Sequence, residues 1–170
     1  MTRSGRSGLH AAINSIQPQR TVDVHTNPLD HSHLLFQLDV PQGSRGFPID
    51  YRLLINAAFD MCQACQDDLV TRISLDGPST AGLVELACVA INEVWGGLSP
   101  DFTQDGRESM ASPEFRRLAR TGSDGHNDAM FAECGKMTPA ERKAAIESSA
   151  AILAGGHATL VRLGYGHLST

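Results

Sequence analysis

The chain has 170 residues, of which 19 are acidic and 14 are Lys or Arg, giving a formal net charge of −5. This length suits one domain that can bury a core without disulfides or metals. The negative charge disfavours broad binding to nucleic-acid phosphates. No apolar run has the length of a signal-peptide core or the roughly 18 residues of a membrane helix. We therefore expect a small cytoplasmic protein with no membrane partner.

The N-terminal part of the chain changes character near residue 20. Residues 1–19 are rich in Ser, Gly, Arg and Gln, which predicts a mobile tail before a single mainly helical domain, 20–170. The runs 21–25 and 34–40 alternate apolar and polar residues, as half-buried strands do. They predict a small N-terminal β-hairpin or strand pair, although the connection between them would be long for a hairpin.

Two amphipathic segments in the middle of the chain predict the centre of the fold. The first helix is expected to begin with Asp50 as its cap and to end near Ser74, with an apolar stripe at helical spacing, made of Leu54, Ala58, Met61, Cys65 and Leu69. The second is expected from Thr80 to Trp95, ended by Gly96 and Gly97. The short Asp-Gly-Pro turn between them predicts an antiparallel helical hairpin whose stripes face each other.

Further helix signals follow a polar loop at 96–111. Ser112 and Pro113 are typical of a helix cap and a first helical residue, and residues 128–136 predict another short helix. Thr138 and Glu141 form a capping-box pattern for a last helix, which Gly155 and Gly156 should end or loosen. The expected fold class is mainly α (α+β), a helical hairpin or bundle core with the N-terminal strands beside it.

Two clusters contain residue types that bind metals. Cys62 and Cys65 form a CxxC pair, a spacing that can chelate zinc or cycle between dithiol and disulfide. His31 and His33 would lie on one side of an extended strand, which is compatible with metal binding. The helix prediction places the CxxC pair in mid-helix, which favours buried structural thiols over a redox or metal site. The expected cofactor is none, with Zn as the alternative.

A basic helix and a single tryptophan are the candidate interaction residues. Arg116, Arg117 and Arg120 put three positive charges on one short helix, which could meet an acidic partner or a phosphate backbone, although a simple solvated face is the favoured interpretation. Trp95 beside two glycines could be a partner's anchor, but packing in the core is the favoured prediction.

No catalytic or phosphate-binding motif stands out, so the sequence leans away from an enzyme. The leading hypothesis is a non-catalytic interaction protein, meaning an inhibitor, an adaptor or a small helical subunit whose partner is another protein or complex. One alternative is a metal-binding protein or metal-dependent enzyme that uses His31 and His33 with Cys62 and Cys65. Another is a nucleic-acid-binding accessory protein that uses the basic helix.

Overall fold

The structure is a computed structural model that describes residues 26–32, 49–105, 109, 111–123 and 127–162. This part of the chain is mainly helical, as predicted. It begins with a short 3₁₀ helix, Pro28–His31, followed by seven α-helices: α1 Ile49–Phe59, α2 Gln63–Ser74, α3 Gly77–Trp95, α4 Pro100–Thr103, α5 Pro113–Ser123, α6 Asn127–Lys136 and α7 Pro139–Arg162. The predicted tail and the strand runs at 21–25 and 34–40 lie outside the described residues.

The helix predicted from Asp50 to Ser74 is in fact two helices, α1 and α2. The chain turns between them at Met61, whose φ of 56° is left-handed. The amide N–H of Cys62 closes this turn by donating to the carbonyl of Ala57 at 2.9 Å. The prediction failed because the apolar spacing runs on through the turn, although Met61 itself is 64% exposed and belongs to no buried stripe. Asp50, predicted as the cap, is the second residue of α1.

The start of α3 is set by local capping chemistry. Asp76 caps the helix by accepting from the amide N–H of Ser79 at 2.8 Å, and Pro78 lies in the first turn, where its missing N–H costs no hydrogen bond. The helix ends at Gly96, whose φ of 73° is readily adopted by glycine. The predicted helix therefore exists, but it begins three residues earlier than Thr80.

The caps predicted for α5 and α7 are confirmed. Ser112 accepts from the amide N–H of Phe115 at 3.1 Å. Thr138 and Glu141 form the reciprocal capping box, with the Thr138 amide donating to Glu141 at 2.8 Å and the Glu141 amide donating to Thr138 at 3.3 Å. Gly155 and Gly156 were predicted to end or loosen the last helix, and they do not end it, because α7 continues through both to Arg162.

The core is built around α3, which packs most extensively on α7 and then on α6, and less on α2. The α2–α3 pair is therefore not the centre of the fold that its two stripes predicted. The long helix α7 also covers α1 and α2, so one helix joins both halves of the core. The largest fully buried side chains come from every α-helix except α4, and from the 3₁₀ helix: Leu54, Ile55, Leu69, Leu83, Ile91, Phe115, Leu118, Met130, Ile146, Leu153 and His31.

Candidate functional site

The CxxC pair lies at the N-terminus of α2 and not in mid-helix. Cys62 is the N-cap residue, with extended backbone angles, and Cys65 is in the first turn of the helix. Both residues are buried, Cys62 to 4% exposure and Cys65 completely. The first amide N–H groups of a helix and its dipole favour negative charge at such a position. The sequence argument against a redox or metal role assumed a mid-helix position for the pair, and that assumption is wrong.

His31 reaches the same place from a segment far away in sequence. Its 3₁₀ helix begins at Asn27, whose side chain accepts from the Leu29 amide at 3.2 Å, and Pro28 follows in the first position. The helix packs on α1 and α2. The carbonyl of His31 accepts from the Asn56 side chain at 2.7 Å, and this buried hydrogen bond fixes the backbone at His31.

The His31 ring is buried to 1% exposure and oriented by Asp60. The ring Nδ1 lies 2.7 Å from Asp60 Oδ2, in the turn that precedes the CxxC pair. With Nδ1 as the donor to the carboxylate, Nε2 is the nitrogen that can accept a proton or bind a metal. This Nε2 atom is also shielded from solvent.

The imidazole and the two thiols converge. One ring nitrogen of His31 and the sulfur atoms of Cys62 and Cys65 all lie within 4.8 Å of one another. The predicted partnership of His31 with the cysteines is therefore present in the geometry, whereas His33 lies outside the described residues. Such a set of donors suits either proton and electron transfer between thiols or the binding of a soft or borderline metal ion.

The two thiols have different surroundings. Burial raises the pKa of the Cys65 thiol to about 11, and a hydrogen bond with Cys62 adds to this effect. Cys65 is therefore protonated at neutral pH. Cys62 is the N-cap residue of α2, and its side chain makes no capping hydrogen bond to the first amides of the helix. The pair therefore consists of Cys62 at the end of the helix and a protonated Cys65 inside its first turn.

The chain has no match among protein-family models, curated proteins or solved structures. Among the described residues, no helix combines the length and the apolar character that a transmembrane segment needs.

The predicted basic patch on α5 differs from the expected solvated face. Arg116 is buried to 6% exposure, and its guanidinium donates to the carbonyl of Ala111 at 3.0 Å. Arg117 pairs with Glu133 and Glu141 at 3.5 and 3.3 Å, and Arg120 with Asp105 at 2.9 Å. These contacts neutralise much of the positive charge, so α5 presents no free cluster of arginines.

Trp95 is 53% exposed, and its ring lies 6.2 Å from that of Phe102, centroid to centroid. The expectation that it packs in the core is therefore wrong. Its role as a partner's anchor stays a prediction.

The other two cysteines lie outside the cluster. Cys134 is buried in α6, and its thiol donates to the carbonyl of Gly77 at 3.3 Å. Burial raises the pKa of the Cys88 thiol on α3 to about 12. Both thiols therefore serve as packing groups, and Cys88 offers a matched control for experiments on the CxxC pair.

Sequence reasoning missed Asp60 and Asn56, the two residues that hold His31 in place. Both lie on the helix predicted around the CxxC pair, and neither belongs to a recognisable motif. The one available signal was the position of Asp60, two residues before Cys62. That position could not be interpreted as part of a site while residues 50–74 were predicted to form one continuous helix.

Proposed function

We propose that this protein is a dithiol–disulfide redox protein in which Cys62 is the nucleophile and Cys65 the resolving thiol. The observation that carries the proposal is the position of the pair at the N-terminus of α2, with the sulfurs close to the His31 imidazole. A redox CxxC pair needs a helix end that stabilises the outer thiolate and an inner thiol close enough to displace the first reactant.

Cys62 is assigned as the nucleophile because it is the N-cap residue and keeps 4% exposure, whereas Cys65 is completely buried. The positive end of a helix dipole favours negative charge near the helix N-terminus, where Cys62 lies. Cys65 belongs to the first turn itself and is completely buried. Its burial keeps it from competing for the first reaction.

His31 and Asp60 supply the proton transfer that Cys65 requires. The Asp60 carboxylate, 2.7 Å from Nδ1, orients the ring and stabilises an imidazolium. The opposite nitrogen, Nε2, then takes the proton of a thiol as that thiol attacks. Because the ring is buried, water competes little for this proton.

The reaction with a small disulfide balances in two steps. The Cys62 thiolate attacks one sulfur of the substrate, forms a mixed disulfide and releases the other half as a thiolate. The Cys65 thiol passes its proton to His31 and attacks the Cys62 sulfur, which releases the second thiolate. That thiolate and the first one take up protons, so the protein gains a Cys62–Cys65 disulfide and the substrate becomes two thiols.

Two oxidants of very different size test how much access the buried sulfurs allow. Glutathione disulfide and hydrogen peroxide both perform the two-electron oxidation of a dithiol. With peroxide, Cys62 becomes a sulfenic acid, and Cys65 condenses with it to give the disulfide and water. Both probes belong in the test, because the same protein disulfide results from either.

The test is a trapping experiment on single-cysteine variants of the pair. Cys65→Ser should accumulate a mixed disulfide with glutathione, or a sulfenic acid with peroxide, at Cys62, as measured by mass spectrometry of the intact chain. Cys62→Ser should react at least about tenfold more slowly, since Cys65 is protonated and buried. Cys88→Ser should behave as the unmodified chain does. Equal reaction of the two variants, or trapping at Cys88, would contradict the assigned roles.

The interaction hypothesis stays a prediction that uses other residues. Trp95 is the side chain that favours it, because an exposed tryptophan is over-represented at interface hot spots. The nucleic-acid hypothesis has less support, since Arg117 and Arg120 already pair with acidic residues and Arg116 is buried.

A further inference from the structure

We propose that the reduced protein also holds a Zn²⁺ ion between His31, Cys62 and Cys65. This binding uses the side chains of the proposed redox pair, but it does not require that the pair react with an oxidant. Two sulfurs and one imidazole nitrogen are the donors that Zn²⁺ takes in proteins.

The spacing of the three donor atoms suits a single ion. Metal–sulfur bonds of about 2.3 Å and metal–nitrogen bonds of about 2.0 Å bring tetrahedral ligands to about 3.5–3.8 Å of one another. The donors here already lie within 4.8 Å of one another. A side-chain rotation that moves each donor by less than about 1 Å would therefore close the site, with no rearrangement of the helices.

The charges of the site also favour a divalent ion. The two negative charges of the thiolates balance the +2 charge of Zn²⁺, and a neutral cluster is far less costly to bury than separate charges. With Nδ1 donating to the Asp60 carboxylate at 2.7 Å, Nε2 is the ring nitrogen that would bind the metal. A carboxylate behind a histidine ligand is the usual arrangement in zinc sites, because it fixes the ring and makes it more basic.

The described residues supply three protein ligands to this cluster. Zinc bound by three protein ligands takes a fourth from solvent or from a small molecule. Oxidation to the Cys62–Cys65 disulfide removes both sulfur ligands, so metal binding and the disulfide exclude each other.

The experiment titrates the reduced full-length chain with Co²⁺ and then Zn²⁺ in the absence of oxygen. One Co²⁺ per chain should produce thiolate-to-cobalt charge-transfer absorption, which Zn²⁺ should abolish by displacement. Zn²⁺ should also raise Tm, because it binds the folded chain. The oxidised chain should give no such absorption.

Variants localise the ion and separate the two proposals. Cys62→Ser and Cys65→Ser should lose the cobalt–thiolate absorption, His31→Gln should weaken binding at least about tenfold, and Cys88→Ser should leave it unchanged. Circular dichroism of each variant checks that it is folded. His31→Gln should also form the Cys62–Cys65 disulfide more slowly than the unmodified chain, because His31 takes the Cys65 proton in the proposed reaction.

Two outcomes would overturn the metal site: a reduced chain without cobalt–thiolate absorption, or absorption that survives in both cysteine variants. A chain that binds no cobalt but forms the Cys62–Cys65 disulfide would overturn the metal site and leave the redox function intact. A chain that binds cobalt but never forms this disulfide would overturn the redox function and leave the metal site intact.

Discussion

The imidazole Nδ1 of His31 lies 2.7 Å from the carboxylate Oδ2 of Asp60. This hydrogen bond joins the 3₁₀ helix to the turn between α1 and α2, and so brings a histidine beside a CxxC pair about thirty residues later in the chain. With Nδ1 held by the carboxylate, Nε2 is the ring nitrogen that can accept a proton or bind a metal. Both proposed roles of the site therefore depend on Asp60, which we regard as a positioning residue.

Replacing Asp60 should lower stability as well as weaken the site. Asp60→Leu removes the partner of a buried imidazole, and the free energy of unfolding should fall by about 1–3 kcal/mol. Urea denaturation measures this change. Glu93→Gln, an exposed carboxylate on α3, is the matched control and should change stability by less than about 0.5 kcal/mol. An Asp60→Leu chain as stable as the control would show that the hydrogen bond contributes nothing.

The left-handed backbone at Met61 predicts how substitutions there behave. Its φ of 56° is costly for a side chain branched at Cβ, whereas its own side chain is 64% exposed. Met61→Val should destabilise the chain by about 1–2 kcal/mol, and Met61→Gly should be more stable than Met61→Val by a similar amount. Leu75→Val, at an exposed residue with ordinary backbone angles, is the control. Equal urea midpoints for Met61→Val and Met61→Gly would contradict the helix break.

Arg116 and Arg120 should respond very differently to loss of charge. Arg116 is buried, so Arg116→Glu introduces a buried carboxylate and should cost more than about 3 kcal/mol in the free energy of unfolding. Arg120→Gln removes a half-exposed ion pair and should cost about 0–1 kcal/mol. Thermal and urea unfolding compare the two. Similar losses for both variants would place Arg116 at the surface. Arg117 and Arg120 are accordingly the residues to change when testing an interaction surface.

The raised pKa of Cys88 predicts a loss of stability in alkaline solution. Burial holds the pKa of this thiol at about 12 in the folded chain, against an ordinary value of 9.0. Above pH 9 the unfolded chain therefore binds fewer protons than the folded chain, and the free energy of unfolding falls as pH rises. Cys88→Ala should make this fall less steep between pH 9 and 11. Parallel stability curves for the two chains would show that Cys88 does not contribute.

The helical class and most helix starts were predictable because they depend on local chemistry. Thr138 with Glu141, and Ser112 with Pro113, indicate helix starts within a few residues of sequence. The end at Gly96 is local too, since glycine is favoured where φ is positive. The helix end expected at Gly155 is absent because it depends on tertiary contacts. The packing of α7 on the core outweighs the weak helix propensity of a glycine pair.

The site was only half predictable, because it depends on one non-local contact and one unfavourable backbone angle. Cys62, Cys65 and His31 could be chosen by residue type, but the convergence of His31 with the thiols requires the docking of the 3₁₀ helix on α1 and α2. The turn at Met61 has no glycine or proline to mark it. A continuous apolar spacing therefore concealed the helix end that gives the CxxC pair its chemistry.

The most direct measurement equilibrates the full-length, metal-free chain in glutathione buffers of increasing oxidised fraction, then quenches, alkylates and maps each thiol by mass spectrometry. A reversible two-electron transition should appear, with the loss of two hydrogen atoms confined to the peptide that contains Cys62 and Cys65, while Cys88 and Cys134 stay alkylatable after unfolding. A chain whose CxxC thiols stay reduced across the series, or whose disulfides form between molecules, would contradict the redox assignment.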